Sequence, residues 1–137
     1  MADTNSSNHH NNKNKSILVL DDEPDITAIV KKSLQDLGFR VSAFTDPVVA
    51  LEYLKSNFEN CCNIVISDIR MPGMNGYEFA KKVKGIKPEC KIILMSAFDI
   101  NNVEFPKVLQ GVSIDAFLQK PFSIRKLKDL IMEKYAN

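Results

Sequence analysis

Histidine is nearly absent from this chain: His9 and His10 are the two it has, and both stand in its polar N-terminal stretch. That argues against a phosphohistidine in the folded part, and two adjacent histidines in a solvated tail make a weak metal site. Cysteine is scarce as well. Cys61, Cys62 and Cys90 are an odd number without zinc-ligand spacing, which reads as reduced thiols in a cytoplasmic protein. The adjacent Cys61 and Cys62 read as two small residues at the approach to a strand. No apolar run nears the roughly 20 residues that span a bilayer, and the N-terminus has no apolar signal core, so neither a membrane span nor a secretory leader is expected. Net charge is almost absent too, at +1. There is no global field to draw the chain to nucleic acid or membrane.

What is present fits one folded domain. The chain has 137 residues, 45% of them apolar, enough for a real core. Residues 1–15 are rich in Asn and Ser, cannot bury enough apolar area to order themselves, and are expected to form a disordered tail. The domain is expected over residues 16–137. At Ser16 the pattern changes: Ile17 to Leu20 is a short apolar run ending in Asp21-Asp22, as in a strand buried on both faces. Pro24 suits a helix first turn, and Ile26, Ile29, Val30, Leu34 and Leu37 recur at helical spacing up to Gly38.

The unit then repeats. Arg40 to Phe44 is a second strand, and Asp46-Pro47 opens a helix to about Phe58. Asn63 to Ser67 is a third apolar run, ending in Asp68; a loop of turn residues, Met71 to Gly76, leads to a helix over about Tyr77–Lys84. Lys91 to Met95 makes a fourth strand ending in Ser96, and Asp115 to Leu118 a fifth ending near Lys120-Pro121. Ser123 caps a last helix carrying Ile124, Leu127, Leu130 and Ile131 on one face. Alternating strands and helices give a doubly wound, five-stranded parallel sheet with helices on both faces, and the flavodoxin-like strand order 2-1-3-4-5 is expected. One segment resists. A helix is expected over Asp99–Gly111, but Pro106 falls inside it and Asn101-Asn102 are poor helix formers, so it should be short or frayed.

Ligands of such sheets bind beyond the carboxyl ends of the strands. This chain places Asp21 and Asp22, Asp68, Ser96 and Lys120 there. Three carboxylates in one cleft repel, and a bound divalent cation resolves the repulsion. Carboxylates, a backbone carbonyl and waters suit Mg²⁺, with Mn²⁺ as an alternative. Lys120 adds a mobile ammonium for a phosphoryl oxygen, and Ser96 a neutral donor. The set matches phosphoryl transfer, where positioning and charge neutralisation are nearly all the catalysis required. A carboxylate is the expected nucleophile, because it forms an acyl phosphate.

Taken together, Asp21-Asp22, Asp68 with Met71-Pro72-Gly73-Met74-Asn75-Gly76, Ser96-Ala97 and Lys120-Pro121-Phe122 resemble the receiver domain of two-component response regulators, over Ser16 to about Ala136. The resemblance implies that Asp68 accepts a phosphoryl group from a sensor histidine kinase or a histidine phosphotransfer protein. It implies Mg²⁺ held by Asp21, Asp22, Asp68 and the carbonyl of Arg70, and phosphoryl contacts from Ser96 and Lys120. Phe117 fits the switch aromatic that turns inward when Ser96 moves. The chain would be a phosphorelay switch that catalyses only its own phosphorylation and dephosphorylation. An attached output domain, direct nucleic-acid binding and membrane attachment are not expected. A downstream protein partner is expected, with a monomer or a weak, phosphorylation-dependent dimer. Arg70 and Phe98 lie two residues after Asp68 and Ser96, positions that the resemblance implies flank the path of an attacking water, so a bulky Phe98 is expected to slow loss of the phosphoryl group.

Two other functions compete. A Mg²⁺-dependent phosphohydrolase would want a second acid two residues after Asp68, where Arg70 stands. A flavin carrier of the same layout would want a Ser/Thr/Gly-rich loop after the first strand, where the acidic pair stands.

Overall fold

The computed structural model describes residues 15–97 and 112–136, the last two by their backbone alone. The tail with His9 and His10, Phe98 and the expected helix over Asp99–Gly111 with Pro106 lie outside the described residues.

Five strands, β1 (Ser16–Leu20), β2 (Arg40–Phe44), β3 (Ile64–Asp68), β4 (Lys91–Ser96) and β5 (Ala116–Gln119), form one sheet in the order β2-β1-β3-β4-β5. Every pairing is parallel. Four helices are described: α1 (Pro24–Asp36), α2 (Pro47–Asn57), α3 (Gly76–Ile86) and α4 (Ile124–Ala136). No helix among the described residues is long and apolar enough to cross a membrane.

The continuous apolar runs are explained by burial on both faces. Within β1, Leu18 and Leu20 pack with Leu54 of α2 and Phe79 and Val83 of α3. Ile17 and Val19 pack on the opposite side with Val30 and Leu34 of α1 and Leu127 and Ile131 of α4. All of these are at most 1% exposed, and each such side chain contributes on the order of 2 kcal/mol by burial. Local chemistry sets the helix ends. Asp46 Oδ1 accepts from the Val48 amide at 2.8 Å, Asn75 Oδ1 from Glu78 at 2.9 Å, and Ser123 Oγ from Lys126 at 3.0 Å. At the end of α1, Gly38 takes φ 99°, a conformation that glycine reaches without a side-chain clash.

Some expected boundaries move. α3 begins at Gly76 and runs to Ile86, because Asn75 is the cap. β5 begins one residue later than expected, at Ala116; ahead of it the Asp115 amide donates to Ile92 O at 2.9 Å and the Asp115 carboxylate accepts from the Ile92 amide at 2.7 Å. Cys61 and Cys62 are both buried at the approach to β3, the place expected for them from sequence. Cys90 is a buried free thiol, and burial pushes it up to about 12.

Candidate phosphoacceptor and metal site

The strand register builds the site. Leu20 stands opposite Ser67, so Asp21 and Asp68, each one residue further on, come level at the carboxyl edge. Asp68 stands opposite Met95, and Ser96 opposite Gln119, which brings Ser96 and the following Lys120 to the same edge. The sheet thus gathers residues 99 positions apart in sequence onto one contact.

Asp21 is fully buried, Asp68 and Ser96 are buried, and Asp22 is exposed. One carboxylate oxygen from each of Asp21, Asp22 and Asp68 lies within 4.8 Å of the others. Lys120 Nζ donates to Asp21 Oδ2 at 2.6 Å and stands 3.4 Å from Asp68 Oδ1. The other Asp21 oxygen accepts from the Glu23 amide at 2.9 Å. That backbone donor was not foreseen; the signal for it is the short connection from the strand end to Pro24, which folds the chain back on its own aspartate.

Burial first, and then the Asp21 charge beside it, push the Asp68 carboxyl up to about 6, against the pull of the Lys120 ammonium. Burial works against the charge on Lys120, yet its hydrogen bond to Asp21 and the Asp21 and Asp68 charges outweigh that and hold it above its ordinary value. Lys120, expected from sequence as a mobile ammonium for a phosphoryl oxygen, is thus already committed to carboxylates at rest. Its side chain is 14% exposed and already bridges two carboxylates.

The donor set fits a small hard cation. Oxygens around Mg²⁺ sit at about 2.0–2.1 Å in an octahedron, so neighbouring ligand oxygens are about 3 Å apart and opposite ones about 4 Å. Carboxylates within 4.8 Å are close to that spacing, and Asp22 is exposed. Arg70, whose carbonyl the resemblance adds, is exposed two residues beyond Asp68. Phe117 is partly buried, opposite Leu94 on the next strand, and packs on the α2–α3 side of the sheet. A groove of about 480 Å³, lined largely by Ile26, Ile29, Val30, Phe122 and Ile124, opens beside Lys120. All the site residues expected from sequence except Phe117 and Arg70 are thus placed by side chain or register at one edge; those two flank it.

Comparison with known proteins agrees with this layout. Residues 17–132 match the family described as response regulator receiver domain. The C4-dicarboxylate transport transcriptional regulatory protein DctD of Rhizobium meliloti is 33% identical over 82% of this chain and 23% of its own length. The two-component response regulator ARR2 of Arabidopsis thaliana is 36% identical over 85% of this chain and 17% of its own length. The chain therefore spans about a fifth of these relatives. Among solved structures, the chemotaxis protein CheY4 of Vibrio cholerae superposes with a TM-score of 0.78 at 26% identity, covering 87% of this chain and 97% of that one. With the sheet order, the acidic cluster and the family match in agreement, the chain belongs to the response regulator receiver domains of two-component systems.

Proposed function

We propose that this receiver takes a phosphoryl group onto Asp68 from a phosphohistidine of a kinase or phosphotransfer protein, with a divalent cation in the acidic cluster. The observation that carries this reading is the Asp21–Asp22–Asp68 cluster, bridged by Lys120, at the carboxyl edge of the sheet. An Asp68 carboxylate oxygen attacks phosphorus, the bond from phosphorus to the donor nitrogen breaks, and that electron pair leaves with the imidazole. Asp21, Asp22, Asp68 and the Arg70 carbonyl would hold Mg²⁺, which would neutralise the phosphoryl charge. Lys120 supplies an ammonium already aimed at Asp68 Oδ1, and Ser96 a hydroxyl at the same edge.

Lys120 also links phosphorylation to a change of state. In the resting protein its charge belongs chiefly to Asp21. A phosphoryl group on Asp68 offers it a stronger partner, and Ser96 on β4 and Phe117 on the neighbouring β5 carry the shift to the surface. The apolar groove beside Lys120, with Ile29 and Ile124 exposed on its rim, gives the donor protein a dry surface next to the reacting atoms. In this reading the chain acts on no separate substrate and serves as a switch for a downstream partner.

The test is labelling with acetyl phosphate followed by intact-mass measurement. With Mg²⁺ the protein should gain one phosphoryl group, with Mn²⁺ likewise, and in excess EDTA none. Equal labelling in EDTA would refute the role given to the metal.

A further inference from the structure

We propose that Gly76 is a positioning residue: the bare backbone there lets the first turn of α3 press on the Asp68 peptide and fixes the aim of the Asp68 carboxylate at the metal. The inference rests on the metal reading above and deepens it.

Gly76 is buried, and a Cβ placed on it would overlap the Asp68 carbonyl oxygen, stand 2.9 Å from Ile69 Cα and 3.2 Å from the Asp68 carbonyl carbon. Backbone atoms cannot step aside by changing rotamer. Backbone conformation is not the reason for the glycine, since Gly73 and Gly38 alone take positive φ among the described glycines. Nor is crowding general, because a Cβ at Gly73 or Gly85 would meet nothing within 4 Å.

The Asp68 peptide is held from several sides. The Ile69 amide donates to Met95 O at 3.0 Å and the Gly76 amide to Ile69 O at 2.7 Å, while Ser67 Oγ donates to Asp68 O at 2.9 Å. α3 cannot retreat to make room, because Phe79, Ala80 and Val83 are fully buried and Asn75 caps its first turn. A methyl group at position 76 would therefore displace the Asp68 backbone and the loop that carries Arg70. Interiors transmit such strain because they are close-packed. Mg²⁺ demands near-ideal octahedral geometry, whereas Ca²⁺ accepts flexible coordination at longer distances. Displacing Asp68 should thus cost Mg²⁺ more than Ca²⁺.

Calorimetric titration of MgCl₂ and CaCl₂ into the wild type, Gly76→Ala and Gly85→Ala tests this. Gly76→Ala should bind Mg²⁺ about 10-fold more weakly, and its Mg²⁺/Ca²⁺ affinity ratio should fall at least about threefold. Gly85→Ala should leave both constants unchanged. Unchanged or equally weakened binding of the two ions in Gly76→Ala would overturn the positioning role. So would a Gly76→Ala chain that fails to fold by circular dichroism, since the contact would then serve the fold as a whole. A wild type that binds neither ion would instead refute the metal reading on which the inference rests.

Discussion

Burial and the Asp21 charge raise the Asp68 carboxyl from an ordinary value of 3.8 to about 6 in the folded state. Stability from the neutral carboxyl is therefore fully present below the unfolded value and is lost as pH rises through about 6. The shift corresponds to on the order of 2–3 kcal/mol, at about 1.4 kcal/mol per pH unit. Without metal, Asp68→Asn should be more stable than the wild type at pH 7, and the gap should close toward pH 4.5; urea unfolding at both pH values measures it. A gap that does not change with pH would contradict the burial and charge argument. Lys120→Ala strands a fully buried Asp21 and should cost about 3–5 kcal/mol in EDTA, as for a buried pair broken from one side. Mg²⁺ should restore part of that, because the ion replaces the lost cation. Thermal melts with and without Mg²⁺ give the answer, and a loss below about 1 kcal/mol would return Lys120 to the class of exposed residues. Asp22 is exposed, so Asp22→Ala should change stability by less than about 0.5 kcal/mol while weakening Mg²⁺ binding in a calorimetric titration.

At the level of elements, capping ties the site to the scaffold. Asn75 caps α3, the helix whose first turn lies against Asp68. Asn75→Ala should lower stability by about 1 kcal/mol, read as a shift of the urea midpoint at constant slope. The strands were legible in sequence because β1, β3 and β4 are buried on both faces and so appear as unbroken apolar runs. Asp46 was legible as a cap because the residue type and the following proline both say so. The start of β5 was less legible, because Asp115 is tied to Ile92 by both its amide and its carboxylate just ahead of the strand. Gly76 misled in another way: it reads as a turn residue, yet it is the first residue of α3 and is required by its distance from the Asp68 backbone.

Across the whole molecule, strand order followed from alternation and crossover handedness, and the register then placed the acidic pair, Asp68, Ser96 and Lys120 at one edge. What no local pattern could show is how those residues share charge at rest. Lys120 and Asp21 are 99 residues apart, and their preference for each other depends on burial that exists only after folding. The resting site is thus a partly neutralised one, with one lysine bridging two of its three aspartates, and in the proposed function a cation and a phosphoryl group would rearrange it together. The most direct measurement of this account is the intact mass of the wild type and of Asp68→Asn after acetyl phosphate and Mg²⁺. The wild type should gain one phosphoryl group and Asp68→Asn none; full labelling of Asp68→Asn would contradict the assignment of Asp68 as the phosphoacceptor.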